Sequence, residues 1–377
     1  MAAADKRALF HHVDDKLMLK LEAAVRKLIY QRERALEFKR PMSEIYHQPD
    51  PGTTKIKPEA YKLYEVQIKA PMDLRTVETT LEEDLEVAWA EKKYLCAEDC
   101  AHDVRLIWRN AFMFPMYKDT VENAWTLGRQ FEEAFNEILA AREQLPDAPG
   151  IPLKDRCRII LADLRRNPLS EFCRKDDWKA LEPNYSEVIR NGRTNLPPRT
   201  IQIAKESGIY PPNQNTEPMD LDEVQRRFDA GQYNGAGASS SSAAAAAASS
   251  SSADGFDINA FAKDVRQIFL NGVVFNDVKT PVGRMFDVLS HSFEAQLKRA
   301  KEAKTPQGAA DARRRELLTE CSKLQEKSAL EIGNLLRKRV PEAVSQEGTV
   351  NLDKVADDID DASLETLIKR AKSEQQQ

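Results

Sequence analysis

Residues 261–276 read FAKDVRQIFLNGVVFN, and the centre of that stretch, DVRQIFLN at 264–271, echoes an earlier DVRLIWRN at 103–110. Phe261, Val265, Ile268, Phe269 and Val273 recur at helical spacing and form one apolar stripe. The stretch predicts an amphipathic helix closing on Phe275-Asn276, and its earlier copy predicts one closing on Phe114-Pro115. A second motif is duplicated in the same order, Pro71-Met72-Asp73-Leu74 returning as Pro218-Met219-Asp220-Leu221. Two motifs in one order mark an internal repeat.

The short motifs lie 147 positions apart and the long ones 161, so the later copy carries 14 extra residues between them. The insertion is the Ser/Ala-rich stretch 235–255, whose tract GAGASSSSAAAAAASSSS can bury nothing specific. Val282, Met285, Phe286, Leu289, Phe293 and Leu297 give a second helical stripe, and Val121, Ala124, Leu127, Phe131, Phe135 and Ile138 a third. Asp220 followed by Glu223 reads as a capping box, and Thr280-Pro281 as an N-cap with proline at the first helical position. Each copy also predicts an earlier helix, over 15–37 and 154–165, separated from its PMDL motif by a long proline-punctuated stretch. Loops of that length inside a compact domain usually carry function.

The chain has 377 residues, 41% hydrophobic and 31% charged, which predicts two or three globular, helix-rich domains. With 56 Lys and Arg against 61 Asp and Glu, a net charge of -5 excludes a chain built to neutralise phosphates, so no sequence-specific nucleic-acid binding is expected. The five cysteines are scattered rather than paired in a dense framework, and the N-terminus lacks a signal-peptide pattern. No run is apolar enough for a membrane span. A soluble intracellular protein in a reducing compartment is expected.

These residues resemble the bromodomain family, a left-handed four-helix bundle with an acetyl-lysine pocket between its long first loop and its last interhelical loop. The resemblance covers 1–145 and 151–300. In the second copy it implies that Asn276, after Phe275, donates its amide N–H to the acetyl carbonyl, with Val282 as gatekeeper and Phe172 on the apolar shelf. Tyr210 corresponds to the tyrosine that holds a pocket water, one residue further from PMDL than the family spacing. An unacetylated lysine would bury an uncompensated ammonium in such a slot. In the first copy Phe38, Pro41 and Met42 resemble the shelf, Tyr64 the tyrosine and Val121 the gatekeeper. Its anchor position, after Phe114, is Pro115, which offers neither a side-chain amide nor a backbone N–H. Losing that donor costs about 1–3 kcal/mol, so this pocket is expected not to read acetyl-lysine in the usual way.

Residues 301–312 read as a polar linker, and 313–373 as a third, small domain. Leu317, Leu318, Leu324, Leu330, Ile332, Leu335 and Leu336 predict a helix pair, residues 349–352 a short strand, and Leu364, Leu367 and Ile368 a last helix. That layout resembles the extra-terminal domain that follows paired bromodomains in the BET family. It implies capture of lysine-rich peptides by strand addition at Val350, Leu352 and Asp353 beside Ile332 and Leu335. The whole is therefore expected to be all-α, two bromodomain bundles in tandem plus a mainly helical extra-terminal domain. It resembles BET-type proteins of a protist, kinetoplastid-like kind. The implied function is a nuclear, non-enzymatic chromatin reader that binds acetylated histone peptides and recruits transcription and chromatin regulators, with no cofactor, metal, catalytic residue or membrane partner. The alternative is a helical interaction scaffold with vestigial pockets.

Other features read as structural. Cys96 and Cys100 lie one helical turn apart with no further metal ligand nearby, and His102-Asp103 lacks the additional histidines of a hydrolase site. Trp89, Trp108, Trp125 and Trp178 read as core or shelf residues. Lys298, Arg299, Lys301 and Lys304 form a short basic cluster that import or DNA contact could use.

Overall fold

The apolar stripes become helices packed around one shared core. The structure, a computed structural model, describes residues 14–31, 33–49, 55–117, 119–143, 151–174, 196, 198–209, 219–234 and 255–302. The domain over 313–373, with Ile332, Leu335, Val350, Leu352 and Asp353, lies outside them, as do Tyr210, Trp178 and Lys304. Met1–Arg142 and Leu153–Glu302 belong to one compact unit. Among the described residues there is no strand, and an isolated bridge joins Asn234 to Phe256. No helix among them is long and apolar enough to cross a membrane.

The first bundle opens with α1, Asp15–Ile29, capped by the Asp14 carboxylate, which accepts the Leu17 N–H at 2.7 Å. Short helices α2, Met42–His47, and α3, Pro58–Gln67, lie in the long loop. Next come α4, Leu74–Glu86, capped by Asp73 of the PMDL motif, α5, Ala97–Met113, and α6, Thr120–Glu143. The second bundle comprises α7, Leu153–Arg166; α8, Pro198–Glu206; α9, Leu221–Asp229; α10, Ile258–Asn276; and α11, Pro281–Glu302. Phe261, Val265, Ile268, Phe269 and Val273 are all buried, as the stripe demanded. Each such side chain contributes about 1.5–3 kcal/mol. Trp108 is fully buried, with the Phe38 ring edge-on to it at 5.3 Å.

Three expectations need correction. The helix expected over 15–37 ends at Ile29, because residues 31–34 (QRER) offer nothing apolar to bury and the chain turns into a short 3-10 helix, Leu36–Phe38, that buries Phe38. Asp220 does cap α9, but the Glu223 carboxylate is held by Arg226 and Arg227 and does not reach back to close the box. Of the basic cluster, Arg299 is buried and donates to Asn136 at 3.1 Å, so it is no free cation.

The insertion leaves after Asn234 and returns at Gly255, and its ends are clasped by the Asn234–Phe256 bridge and by the Asp257 N–H donating to the Tyr233 carbonyl at 2.6 Å. A clasp at the base lets a long tract loop out at little cost. The repeat also shows a feature its motifs did not announce. Tyr94 donates to Asp103 at 3.0 Å and Tyr233 to Asp264 at 2.7 Å, the same pair in both copies, with the insertion lying between Tyr233 and Asp264.

The two bundles meet across buried charge. On α5, Arg105 is 1% exposed and donates to Glu132 of its own bundle at 2.7 and 2.9 Å and to Asp163 of the other at 2.8 and 3.0 Å. Ser292 donates to Glu132 at 2.6 Å and Gln296 to Asp163 at 2.9 Å, so each carboxylate accepts a third hydrogen bond. Burial works against the guanidinium's charge, but the two carboxylates override it and hold its pKa above the ordinary arginine value.

Candidate functional site

Helices α6 and α11 face one another along their length and run in the same direction. Glu122 pairs with Arg284 at 2.9 Å and Trp125 donates to Asp287 at 2.8 Å. Further along, Ser292 meets Glu132 and Arg299 meets Asn136. Arg284 also lies over the Trp125 ring, 3.8 Å from its centroid. Both helices begin at the loop that follows a repeated motif helix, so Val121 and Val282 stand at the same end of the pair.

In the second bundle that loop is pinned by its own backbone. Asn276 ends α10 and gives one amide N–H to the Gly272 carbonyl at 3.0 Å. Its neighbour Asp277 has φ 67, the one non-glycine residue at positive φ among those described. Thr280 secures the strained residue. Its N–H donates to the Asp277 carbonyl at 3.0 Å, its hydroxyl donates to the Asp277 and Asn276 carbonyls at 2.8 Å, and the same hydroxyl accepts the Gly283 N–H at 3.1 Å. A Cβ on Gly283 would stand 1.9 Å from the Asp277 oxygen, so only glycine fits. Phe275 and Val282 are half-buried against the core on either side of this loop. Phe172 is likewise half-buried, in a 3-10 turn, Pro168–Cys173, that packs on α5 and α11, with Glu171 paired to Arg109 at 2.6 Å.

The first bundle builds its loop differently. Asn110 donates to the Ala70 carbonyl at 2.8 Å, and the Phe114 N–H caps α5 on Asn110. Pro115 follows, exposed. Tyr64 is buried with its ring edge-on to Phe114 at 5.8 Å, and burial pushes its hydroxyl up to about 12. Pro41 and Met42 are half-buried at the start of α2, and Val121 packs against the core. Between Phe38 and the start of α6 lies a group the motifs did not single out, Glu37. Its carboxylate accepts hydrogen bonds from the Thr120 hydroxyl and, at 3.5 Å, from Asn123. Burial raises its pKa above the usual carboxylate range. The Tyr117 N–H donates to the Thr120 hydroxyl at 2.9 Å, while its buried phenol oxygen has no hydrogen-bonding partner among the described residues. Lys39 and Arg40 stand in the same segment, so no spacing marked Glu37 out.

The remaining candidates are committed elsewhere. Cys96 and Cys100 are buried thiols, Cys96 capping α5, and burial holds both well above the ordinary thiol pKa. No group of three metal-ligating side chains is gathered among the described residues. His102 lies 3.3 Å from Asp103, which also holds Lys93 and Tyr94.

Residues 32–124 match the bromodomain family, a stretch running from the turn after α1 into α6. The first bundle therefore contains a bromodomain, a module that reads acetylated lysine in chromatin proteins. No curated protein and no solved structure matches the chain. The matched bundle is the one whose motif helix is followed by Pro115.

Proposed function

We propose that this chain is a non-enzymatic reader of acetylated lysine in histone tails, and that the second bundle, a second bromodomain, supplies the anchor through Asn276. The observation that carries this reading is positional. Asn276 closes α10 where Pro115 follows α5 in the matched bromodomain, at the same 161-residue offset as the motif itself. With one amide N–H given to Gly272, the second N–H is the donor an acetyl carbonyl needs, and Phe275, Val282, Phe172 and Tyr210 are the apolar and aromatic groups assigned to the slot. A neutral amide with a methyl group can be desolvated there, whereas an ammonium cannot. The extra-terminal-like domain over 313–373 would recruit transcription and chromatin regulators in the nucleus by binding their basic peptides along Val350, Leu352 and Asp353.

The test is calorimetric titration of the full chain with acetylated and unacetylated histone-tail peptides, wild type against Asn276→Ala. Acetyl-dependent binding that weakens tenfold or more in the variant is the expected result. Acetyl-dependent binding unchanged by Asn276→Ala would remove the anchor assignment. An absence of acetyl-dependent binding in the wild type would leave a helical scaffold whose pockets are vestigial.

A further inference from the structure

Where the start of α5, the end of α7 and the residue after the 3-10 turn Pro168–Cys173 come together, the structure holds a cleft of about 500 Å³, and no residue assigned to either acetyl-lysine slot lines it. That is the size of a small-molecule site rather than of a bare ion. Its walls carry four cationic side chains, Lys93, Arg165, Arg166 and Arg174, against two carboxylates, Asp99 and Asp103. Both carboxylates are engaged. Arg166 pairs with Asp99 at 2.5 Å, and Asp103 accepts from the Tyr94 hydroxyl at 3.0 Å and pairs with Lys93 at 3.1 Å. Two guanidinium groups therefore have no carboxylate inside the cleft. Arg165 pairs outside it, its Nη1 alone serving Asp222 at 2.7 Å and the Leu221 carbonyl at 3.2 Å. That leaves its Nε and Nη2, a fork with which an arginine grips two oxygens of one anion. Arg174 gives one N–H to the Arg165 carbonyl at 2.9 Å, which ties it to the same corner, and pairs with no carboxylate among the described residues.

We propose that this cleft binds the phosphoryl group of a phosphoserine or phosphothreonine peptide, with Arg165 and Arg174 as its two guanidinium partners. Such a group carries a charge of about −1.5 to −2 at pH 7 and three acceptor oxygens, which two guanidinium groups with uncommitted donors complement. Lys93 and Arg174 are exposed, so a phosphoryl group on a macromolecule reaches the cleft from solvent. The excess of positive charge is confined to these walls in a chain of net charge -5. Nucleic acid fits them less well on two counts. Successive phosphates along a strand would be carried onto Asp99 and Asp103. The one aromatic ring in the walls, Tyr94, is 1% exposed and has the Lys93 ammonium 5.2 Å from its centroid, so no platform is open for a base to stack on. The same want of an open apolar wall disfavours phosphotyrosine.

The experiment is fluorescence polarisation of the full chain with end-capped peptide pools, randomised among uncharged residues around one fixed phosphoserine, phosphothreonine or unmodified serine. The pools contain no acetyl-lysine, so the result stands apart from the acetyl-lysine slots. The wild type is expected to bind a phosphorylated pool and not the serine pool. Arg165→Gln and Arg174→Gln should each weaken that binding about tenfold, and the double variant should abolish it. Neither arginine holds a buried carboxylate, so both variants are expected to melt with the wild type. Should Arg165→Gln not fold, Arg174→Gln decides the matter alone. Equal binding of phosphorylated and unmodified pools, no binding of either phosphorylated pool, or a folded double variant that binds as the wild type does would overturn the proposal. Displacement of the peptide by inorganic phosphate or by a DNA duplex at the peptide's own concentration would overturn it as well, in favour of an ion site or a nucleic-acid face.

Discussion

Arg105 and Arg266 are the same motif residue in the two copies, and they do different work. Arg266 pairs with Glu294 at 2.6 Å within its own bundle, whereas Arg105 reaches into the other one. Replacing Arg105 with leucine would leave Glu132, fully buried, and Asp163, 3% exposed, as uncompensated charges facing one another. That situation costs about 3–5 kcal/mol, and urea denaturation of Arg105→Leu should show a loss of that size. Glu37 makes the opposite prediction. Its folded pKa lies above the reference 4.5, so the folded state holds the proton longer than the unfolded chain. The stability it contributes is fully present below about pH 4.5 and is lost as pH rises through the raised folded pKa. Glu37→Gln keeps an acceptor for Thr120 without a charge to desolvate. Thermal melts from pH 4 to 8 should find the variant gaining on the wild type as pH rises, and parity at every pH would contradict this.

At the level of elements, the low-complexity tract and the anchor loop make a contrast in how much the chain cares about a connection. The tract between α9 and α10 is bounded at its base by the Asn234–Phe256 bridge, while the Asn276 loop is held by the Thr280 hydroxyl. Replacing 235–254 by a four-residue turn should leave acetyl-peptide affinity unchanged and raise stability by about 1 kcal/mol through reduced loop-closure entropy, a shift thermal denaturation can read. The loop between α10 and α11 tolerates no such editing. There a positive-φ Asp277, two hydrogen bonds from the Thr280 hydroxyl and a glycine in contact with a carbonyl hold five residues in one shape. The helices were legible from their stripes and the cap at Thr280 from its Thr-Pro pair. The need for Gly283 was not, because it arises from the Asp277 oxygen approaching from outside the helix.

For the molecule as a whole, the buried Arg105 network joins the bundles into one folding unit. A bundle expressed alone would expose Arg105 or Asp163 without its partner and lay bare the apolar surface between α5 and α11. The fragment 14–302 should therefore unfold in a single calorimetric transition whose calorimetric and van't Hoff enthalpies agree, and neither bundle alone should melt cooperatively. Two separated transitions would show that the bundles are independent modules.

The amino-acid sequence by itself determined the repeat, its helical class, the caps at Asp220 and Thr280, and the contrast between Asn276 and Pro115. All of these are local patterns, in which residues three or four apart share a face and a cap lies next to its helix. Only the tertiary structure decided that Arg105 is shared across bundles and that the Glu37 carboxylate accepts the Thr120 hydroxyl. Those facts depend on residues more than fifty positions apart meeting in space, and no spacing rule along the chain records which distant carboxylate a buried arginine or a serine-like hydroxyl will find.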